Sequence, residues 1–219
     1  MLSATIVIGA LTGAIVGGLG GRLAMRILFL TTGDKVKGVT SDDGFKIGQF
    51  TLANTIGLVI TTALLGIVAA LLCLAARPFL APFGAFVPLL MAALYGVVGG
   101  ALIVQPNGVD FAVLEPALLA IAMFVLLFAA FGGIVSRLLT AATADDGWAQ
   151  RCSWWLVGPP LVALLFPPLL IVAVVAVILQ GGDQPTRVWR IVRGGAWTTM
   201  AAIFSLSALN LAQDTMALT

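Results

Sequence analysis

The sequence predicts an all-α, polytopic transmembrane helical bundle of about six spans, and two observations lead to this prediction. First, 61% of the residues are hydrophobic and 9% are charged, whereas soluble domains have roughly 45–50% and about 25%. Second, the apolar residues form continuous runs as long as a bilayer-spanning helix, without the period-two alternation of a membrane β-barrel. The predicted spans are approximately residues 4–30, 52–76, 82–104, 113–139, 156–179 and 194–212.

The six spans, their short connections and one polar loop, residues 31–51, account for the 219 residues. We therefore expect a single integral membrane domain over residues 1–219 and no separate soluble domain. The first span resembles a secretory signal, but it lacks a basic start and continues into Arg22 and Arg26, so we interpret it as a retained helix. The formal net charge of +2 is too small to indicate a nucleic-acid partner.

The fifth predicted span contains Pro167-Pro168 near its middle. Proline removes a backbone donor and disfavours helix for the residue before it, so the pair should kink this helix. The alternative is a re-entrant hairpin, in which residues 156–166 enter the membrane and residues 169–179 return. We prefer a full, kinked span because it gives the stronger charge asymmetry between the two sides.

Basic residues predict the orientation. With a full fifth span, Arg77, Arg137 and Arg151 share one side, and the other eight Lys and Arg residues lie on the opposite side. The positive-inside rule then places loop 31–51 in the cytoplasm and both termini outside. The re-entrant alternative changes this count to six against five and removes the asymmetry.

Glycines recur every four residues through the first span, and residues i and i+4 share one face of a helix. The third span repeats this step more weakly. In a membrane, a bare strip of this kind lets another helix approach closely enough for backbone contacts. The predicted helix-packing residues are Gly9, Gly13, Gly17, Gly21, Gly96 and Gly100.

The chain has no histidine, which excludes histidine-ligated haem, histidine-based metal sites and a serine–histidine protease. All lysines lie in loop 31–51, so a mid-membrane lysine for a retinal Schiff base is also excluded. We expect no cofactor, no metal and no catalytic residue. Cys73 and Cys152 are predicted on the same outer side, where a disulfide is chemically possible, but we favour two separate thiols.

Three arginines are candidate contacts for an anion or a lipid headgroup: Arg22, Arg26 and Arg137. Ionisable groups at membrane depth usually face a bundle interior or a water-filled cavity. The simpler interpretation is that Arg22 and Arg26 extend to the headgroups, and that Arg137 interacts with the carbonyl groups at a helix C-terminus. The alternative is forked hydrogen bonding to an anionic group.

Glu115 is the one carboxylate close to a span interior, and it is therefore a candidate proton or ion site. The simpler interpretation is that Glu115 caps the fourth predicted helix, with Pro116 at the first helical position.

Several motifs resemble a family of bacterial multi-pass membrane proteins with no assigned activity. They are Gly-Arg-Leu-Ala-Met-Arg at 21–26, Ser-Asp-Asp-Gly-Phe-Lys-Ile-Gly-Gln-Phe-Thr-Leu at 41–52 and Gln-Pro-Asn-Gly-Val-Asp-Phe at 105–111. The similarity covers roughly the first 140 residues. It implies an integral protein of the inner membrane and supplies no catalytic residues.

The glycine strip and the missing catalytic chemistry predict a non-enzymatic membrane protein that acts through helix packing. It would be a subunit or accessory of a membrane complex, or a homo-oligomer, with membrane lipids as further partners. The alternative is a small transporter or lipid-handling protein. A third hypothesis, an enzyme of lipid or envelope metabolism, requires Arg22 and Arg26 to hold a phosphate beside Asp42 and Asp43.

Overall fold

The computed structural model of the chain describes residues 1–33, 37–39, 51–105, 111, 113–144 and 187–218. Within these ranges the regular structure is entirely helical, as predicted. Four helical stretches are long and apolar enough to cross a membrane: Leu2–Thr32, Leu52–Ile103, Ala117–Ala142 and Arg193–Leu218. The all-α architecture typical of a membrane protein is therefore confirmed. The number of six spans is not, because the fifth predicted span, residues 156–179, lies outside the described residues.

The first helix is longer than the predicted 4–30 and consists of three consecutive parts. These are α1 (Leu2–Thr12), a π-helical segment (Gly13–Gly20) and α2 (Gly21–Thr32). At about 1.5 Å per residue, a 31-residue helix measures about 45 Å and exceeds a hydrocarbon core of about 30 Å.

Two further helices form an antiparallel hairpin inside the stretch Leu52–Ile103. They are α3 (Leu52–Leu80) and α4 (Val87–Ile103), joined by a 3-10 turn over Ala81–Phe86. Gly84 reverses the chain in this turn with φ 51° and ψ −120°, a combination that is open to glycine and costly for other residues. The observed helices therefore differ from the predicted spans: α3 ends four residues after the predicted 76, and α4 begins five residues after the predicted 82.

Replacing Gly84 with alanine should therefore lower the free energy of unfolding by about 1–3 kcal/mol, because alanine is strained at this φ and ψ. The thermal midpoint of the purified protein in mild detergent measures this loss. Gly57→Ala in α3 is the matched control, since an added Cβ there meets no atom within 4 Å. Equal midpoints for the two variants would show that the turn does not require glycine.

The last two described helices are α5 (Ala117–Ala142) and α6 (Arg187–Leu218). The side chains of residues 187–192 are not described. Helix α5 begins four residues later than the predicted 113 and ends three residues after the predicted 139. Helix α6 extends beyond the predicted 194–212 in both directions.

Two apolar clusters show how the helices are arranged between the two ends of the bundle. Near the first end, Ala4 of α1 packs in one cluster with Leu74 and Leu80 of α3 and Leu139 of α5. We call this the Arg77 end; α1 and α4 begin there, and α3 and α5 end there. The second cluster lies at the opposite end and contains Leu28, Val104, Phe111, Leu114, Ala120 and Ile121. We call this the Thr32 end.

Helix α6 runs from the Arg77 end to the Thr32 end. Trp197 packs against the first cluster, whereas Leu211 and Leu218 pack against the second. The described chain therefore begins at the Arg77 end and finishes at the Thr32 end, and the sides of a membrane on which the two termini lie stay a prediction. That prediction depended on one full crossing at 156–179, which lies outside the described residues.

This direction of α6 also changes the charge argument. Arg193, with the start of α6, lies at the same end as Arg77 and Arg137. The charge count placed Arg193 on the side opposite to these two arginines, and three of the residues it uses, Lys35, Lys46 and Arg151, lie outside the described residues. The cytoplasmic location of loop 31–51 and the outer location of the N-terminus stay predictions.

Candidate functional site

The glycine strip of the first helix lies against α3 of the same chain. A Cβ added at Gly9 would lie 2.6 Å from the carbonyl oxygen of Gly66, and one added at Gly13 would collide with the carbonyl oxygen of Thr62. Gly17 faces the Thr62 side chain, with 3.0 Å between an added Cβ and the Thr62 Cβ. Because the nearest atom at both Gly9 and Gly13 is a backbone carbonyl oxygen, these two helices approach as closely as small residues allow.

The contact does not continue to Gly21, where an added Cβ meets no atom within 4 Å. The π-helical segment Gly13–Gly20 explains the change, because its turns contain more residues than those of an α-helix. A step of four residues therefore drifts away from α3. Gly18 faces α3 beside Gly17, with 3.0 Å between an added Cβ and the Cα of Val59. Spacing alone assumed a regular α-helix and missed Gly18.

The predicted packing residues of the third span lie between α4 and its neighbours. An added Cβ at Gly96 would be 3.1 Å from the Cβ of Ala129 in α5. At Gly100 it would be 2.8 Å from Val125 of α5 and 3.2 Å from Leu211 of α6. Both glycines therefore make contacts within this chain.

Two glycines that the sequence did not single out lie at the same α4–α5 contact. Gly99 is covered by the ring of Phe128, and an added Cβ at Gly132 would lie 2.6 Å from the carbonyl oxygen of Met91. The ring leaves no room for a side chain at Gly99. Neither position follows the four-residue step on which the prediction depended.

The three candidate arginines do not form one site. Arg22 and Arg26 lie on α2, which ends at the Thr32 end, whereas Arg137 lies near the end of α5 at the Arg77 end. Arg26 is exposed, and its guanidinium carbon lies 5.6 Å from the centre of the Phe29 ring. Arg22 is half-buried, with its Nε and Nη2 atoms buried. Asp42 and Asp43, the acidic residues proposed beside them, lie outside the described residues.

Glu115 is exposed and precedes α5 by two residues. Pro116 occupies the N-cap position, with no side-chain capping bond, so the prediction that Glu115 caps the helix is wrong. Thr32 instead holds the Glu115 backbone: its hydroxyl donates to the Glu115 carbonyl at 3.0 Å and accepts from the Glu115 amide at 2.9 Å. The exposed carboxyl group does not have the burial that a proton-coupling site needs.

A basic groove opens at the Arg77 end and has a volume of about 510 Å³. Its charged lining residues are Arg77 and Arg137, which come from α3 and α5. Arg77 donates from Nη1 to the hydroxyl of Thr143 at 3.2 Å and from Nη2 to the hydroxyl of Thr140 at 3.4 Å. The groove therefore brings together one predicted residue, Arg137, and one that the sequence did not single out, Arg77.

The groove offers hydrogen-bond donors and positive charge, the chemistry for binding an anion. Within the described part of the chain, no group of three or more His, Cys, Asp or Glu residues could hold a metal ion. Cys73 is 1% exposed and forms no disulfide within the described part of the chain. Cys152 lies outside the described residues, so the choice between a disulfide and two thiols stays a prediction.

Comparison with known proteins gives no match: no family model, no curated protein and no solved structure is significantly similar to this chain.

Proposed function

We propose that this chain is a non-enzymatic integral membrane protein that acts through helix packing, as a subunit of a membrane complex or as a homo-oligomer. One observation carries the proposal: over its first half, residues 194–205, α6 exposes a row of small residues at helical spacing. The glycine strip of the first helix, which first suggested this function, contacts α3 of the same chain and leaves no bare strip there for a partner.

The outward face of α6 follows the periodicity of a helix. Residues 194, 198 and 202 are four apart, and residues 195, 201 and 205 lie beside them on the same face. All six residues are exposed, and none of the most apolar 18-residue window of this helix is buried. The small residues of this face are Gly194, Gly195, Thr198, Ala201, Ala202 and Ser205. Toward the Thr32 end the face continues with Leu209 and Met216, which are 60% and 78% exposed.

The outward face of the first helix is very different. It carries bulky aliphatic side chains at a spacing of four residues, and the largest exposed fraction among them is 63%, at Leu23. These residues are Leu11, Ile15, Leu19, Leu23 and Ile27. Branched aliphatic side chains suit contact with lipid tails.

Small residues and hydroxyl groups instead are typical of contacts between membrane helices. Asn210 and Gln213 of α6 are also exposed, and an amide group facing hydrocarbon without a partner is costly. Contact with a helix of another subunit would cover the small residues and offer partners to the amides. The comparison of the two faces therefore supports α6 as the assembly surface.

Cross-linking in membranes tests this proposal. Ser205→Cys, in a background with Cys73→Ala and Cys152→Ser, should form an interchain product on mild oxidation or with a short bismaleimide. A product of twice the chain mass identifies a homo-oligomer, and a stoichiometric product of another mass identifies a complex subunit.

Leu19→Cys in the same background is the matched control, because Leu19 is 56% exposed on the lipid-like face. It should give no interchain product. Size-exclusion chromatography of both variants checks that they fold. Equal yields at residues 205 and 19, or no product at residue 205, would disprove the proposal.

The motif resemblance supports the bacterial inner membrane as the location. Labelling of single cysteines in intact cells reports the side of the membrane on which each end of the bundle lies, and Ala85→Cys in the exposed turn would report on the Arg77 end.

A further inference from the structure

The groove at the Arg77 end is built from the parts of three helices that meet there. It lies between the end of α3, the turn Ala81–Phe86, the start of α4 and the last turns of α5. Apart from its two arginines and Thr140, the lining residues are apolar, and most of them are small: Ala81, Gly84, Ala85, Val87, Pro88, Ala141 and Ala144. Small walls leave room for a ligand of several atoms between the charged groups.

The Arg77 guanidinium is held in place by two threonines of α5. Thr140 donates its own hydroxyl hydrogen to the carbonyl of Ser136 at 2.9 Å, and Thr143 donates to the carbonyl of Leu139 at 2.7 Å. Their oxygens are thereby oriented to accept from Arg77. A guanidinium has five N–H donors, so these two bonds leave the others for a ligand.

Arg137 adds a second positive charge on the same side of α5. It precedes Thr140 by three residues, which places both on one face of the helix, and its side chain is exposed. No carboxylate is among the described residues that line the groove. The two guanidinium groups keep a net positive charge there, because the hydroxyls that bind Arg77 are neutral.

We propose that this groove binds the phosphate group of an anionic membrane lipid. Guanidinium groups match phosphate in charge and in forked geometry. Exposed apolar side chains, Phe86 and Leu89, flank the lining residues Val87 and Pro88 in the chain and suit contact with acyl chains. Nearby, the rings of Phe83 and Trp197 lie 5.1 Å apart, and aromatic residues are enriched at the headgroup level of a bilayer.

Both a lipid headgroup and free inorganic phosphate carry the phosphate group that the groove would bind, and the experiment distinguishes these two ligands. The purified full chain is titrated with phosphatidylglycerol, with phosphatidylcholine and with inorganic phosphate, and bound species are counted by native mass spectrometry. We expect phosphatidylglycerol to bind in preference to the zwitterionic lipid. Binding of inorganic phosphate without preference for phosphatidylglycerol would overturn the lipid assignment.

Two variants localise the binding. Arg137→Gln removes an exposed charge of the groove and should weaken phosphatidylglycerol binding about tenfold, because one charge-assisted contact is lost. Lys37→Gln removes an exposed basic residue that does not line the groove and should leave binding unchanged. An equal loss in both variants would mean that the lipid responds to overall charge, and the proposal would fail.

The chain itself offers one competitor, because Asp145 and Asp146 directly follow Ala144 in the sequence. The double variant Asp145→Asn/Asp146→Asn tests it. If the wild type binds neither probe and this variant binds phosphatidylglycerol, carboxylates of the chain occupy the groove and the proposal is wrong. These outcomes are independent of the cross-linking at Ser205, so lipid binding and assembly through α6 can fail separately.

Discussion

Replacing Gly13 with alanine should lower the free energy of unfolding by about 1–3 kcal/mol, the range found when atoms are forced into a closely packed interior. The added Cβ would collide with the carbonyl oxygen of Thr62 and lie 3.0 Å from the Cα of Gly66. Both atoms belong to the backbone of α3, which cannot rotate aside as a flexible side chain can. The first helix and α3 must then separate along their contact. Thermal unfolding of the purified protein in mild detergent measures the loss.

Gly21→Ala is the matched control in the same continuous helix. An added Cβ there meets no atom within 4 Å, and alanine favours a helix over glycine by about 0.5–1 kcal/mol. The control should therefore be as stable as the wild type or slightly more stable. If Gly13→Ala keeps the midpoint of Gly21→Ala, the backbone contact between the first helix and α3 is absent in the folded protein.

These variants also separate folding from assembly. Gly9 and Gly13 contact α3 of the same chain, so larger residues at these positions should destabilise the isolated protomer. Substitutions on the outward face of α6, such as Ala202→Leu, should instead disturb assembly and leave the protomer folded. The two positions thus give different results in unfolding and cross-linking measurements.

The sequence predicted which face of the first helix is bare, because helical periodicity follows from spacing alone. It did not identify α3 as the partner, since any membrane helix can pack against a glycine strip. It also placed Gly21 on that face and missed Gly18. The π-helical segment turns Gly18 toward α3 and Gly21 away from it. A step of four residues assumes a regular α-helix and does not predict such a segment.

The groove illustrates a similar limit. Arg77 and Arg137 were predicted on the same side, because Arg77 follows the second predicted span and Arg137 lies near the end of the fourth. Their approach depends on α3 and α5 packing so that Arg77 reaches Thr140 and Thr143. Arg77 and Thr143 are 66 positions apart, and no local sequence pattern indicates a contact over that separation. The sequence analysis therefore named Arg137 as a candidate site residue and used Arg77 only in the charge count.

Replacing Gly132 with alanine is the second substitution with a large expected effect, again about 1–3 kcal/mol in the free energy of unfolding. The added Cβ would lie 2.6 Å from the carbonyl oxygen of Met91 and 2.8 Å from the Cβ of Tyr95. Tyr95 cannot move away freely, because its hydroxyl donates to the carbonyl of Ala69 and its ring packs on Phe131 at 5.8 Å. The substitution therefore strains α4, α5 and the contact with α3 together.

The neighbouring residue provides the control, because Gly133→Ala makes the same chemical change one position along α5. An added Cβ at Gly133 would lie 3.4 Å from the Cβ of Ala92, an ordinary packing distance. The two variants share the gain in helix propensity, so the difference between their thermal midpoints isolates the steric cost at Gly132. A Gly133→Ala variant as unstable as Gly132→Ala would show that α5 is rotated relative to α4 and would contradict the packing described for these helices. The same rotation would move Arg137 away from Arg77, so this pair of variants also checks the groove without a ligand.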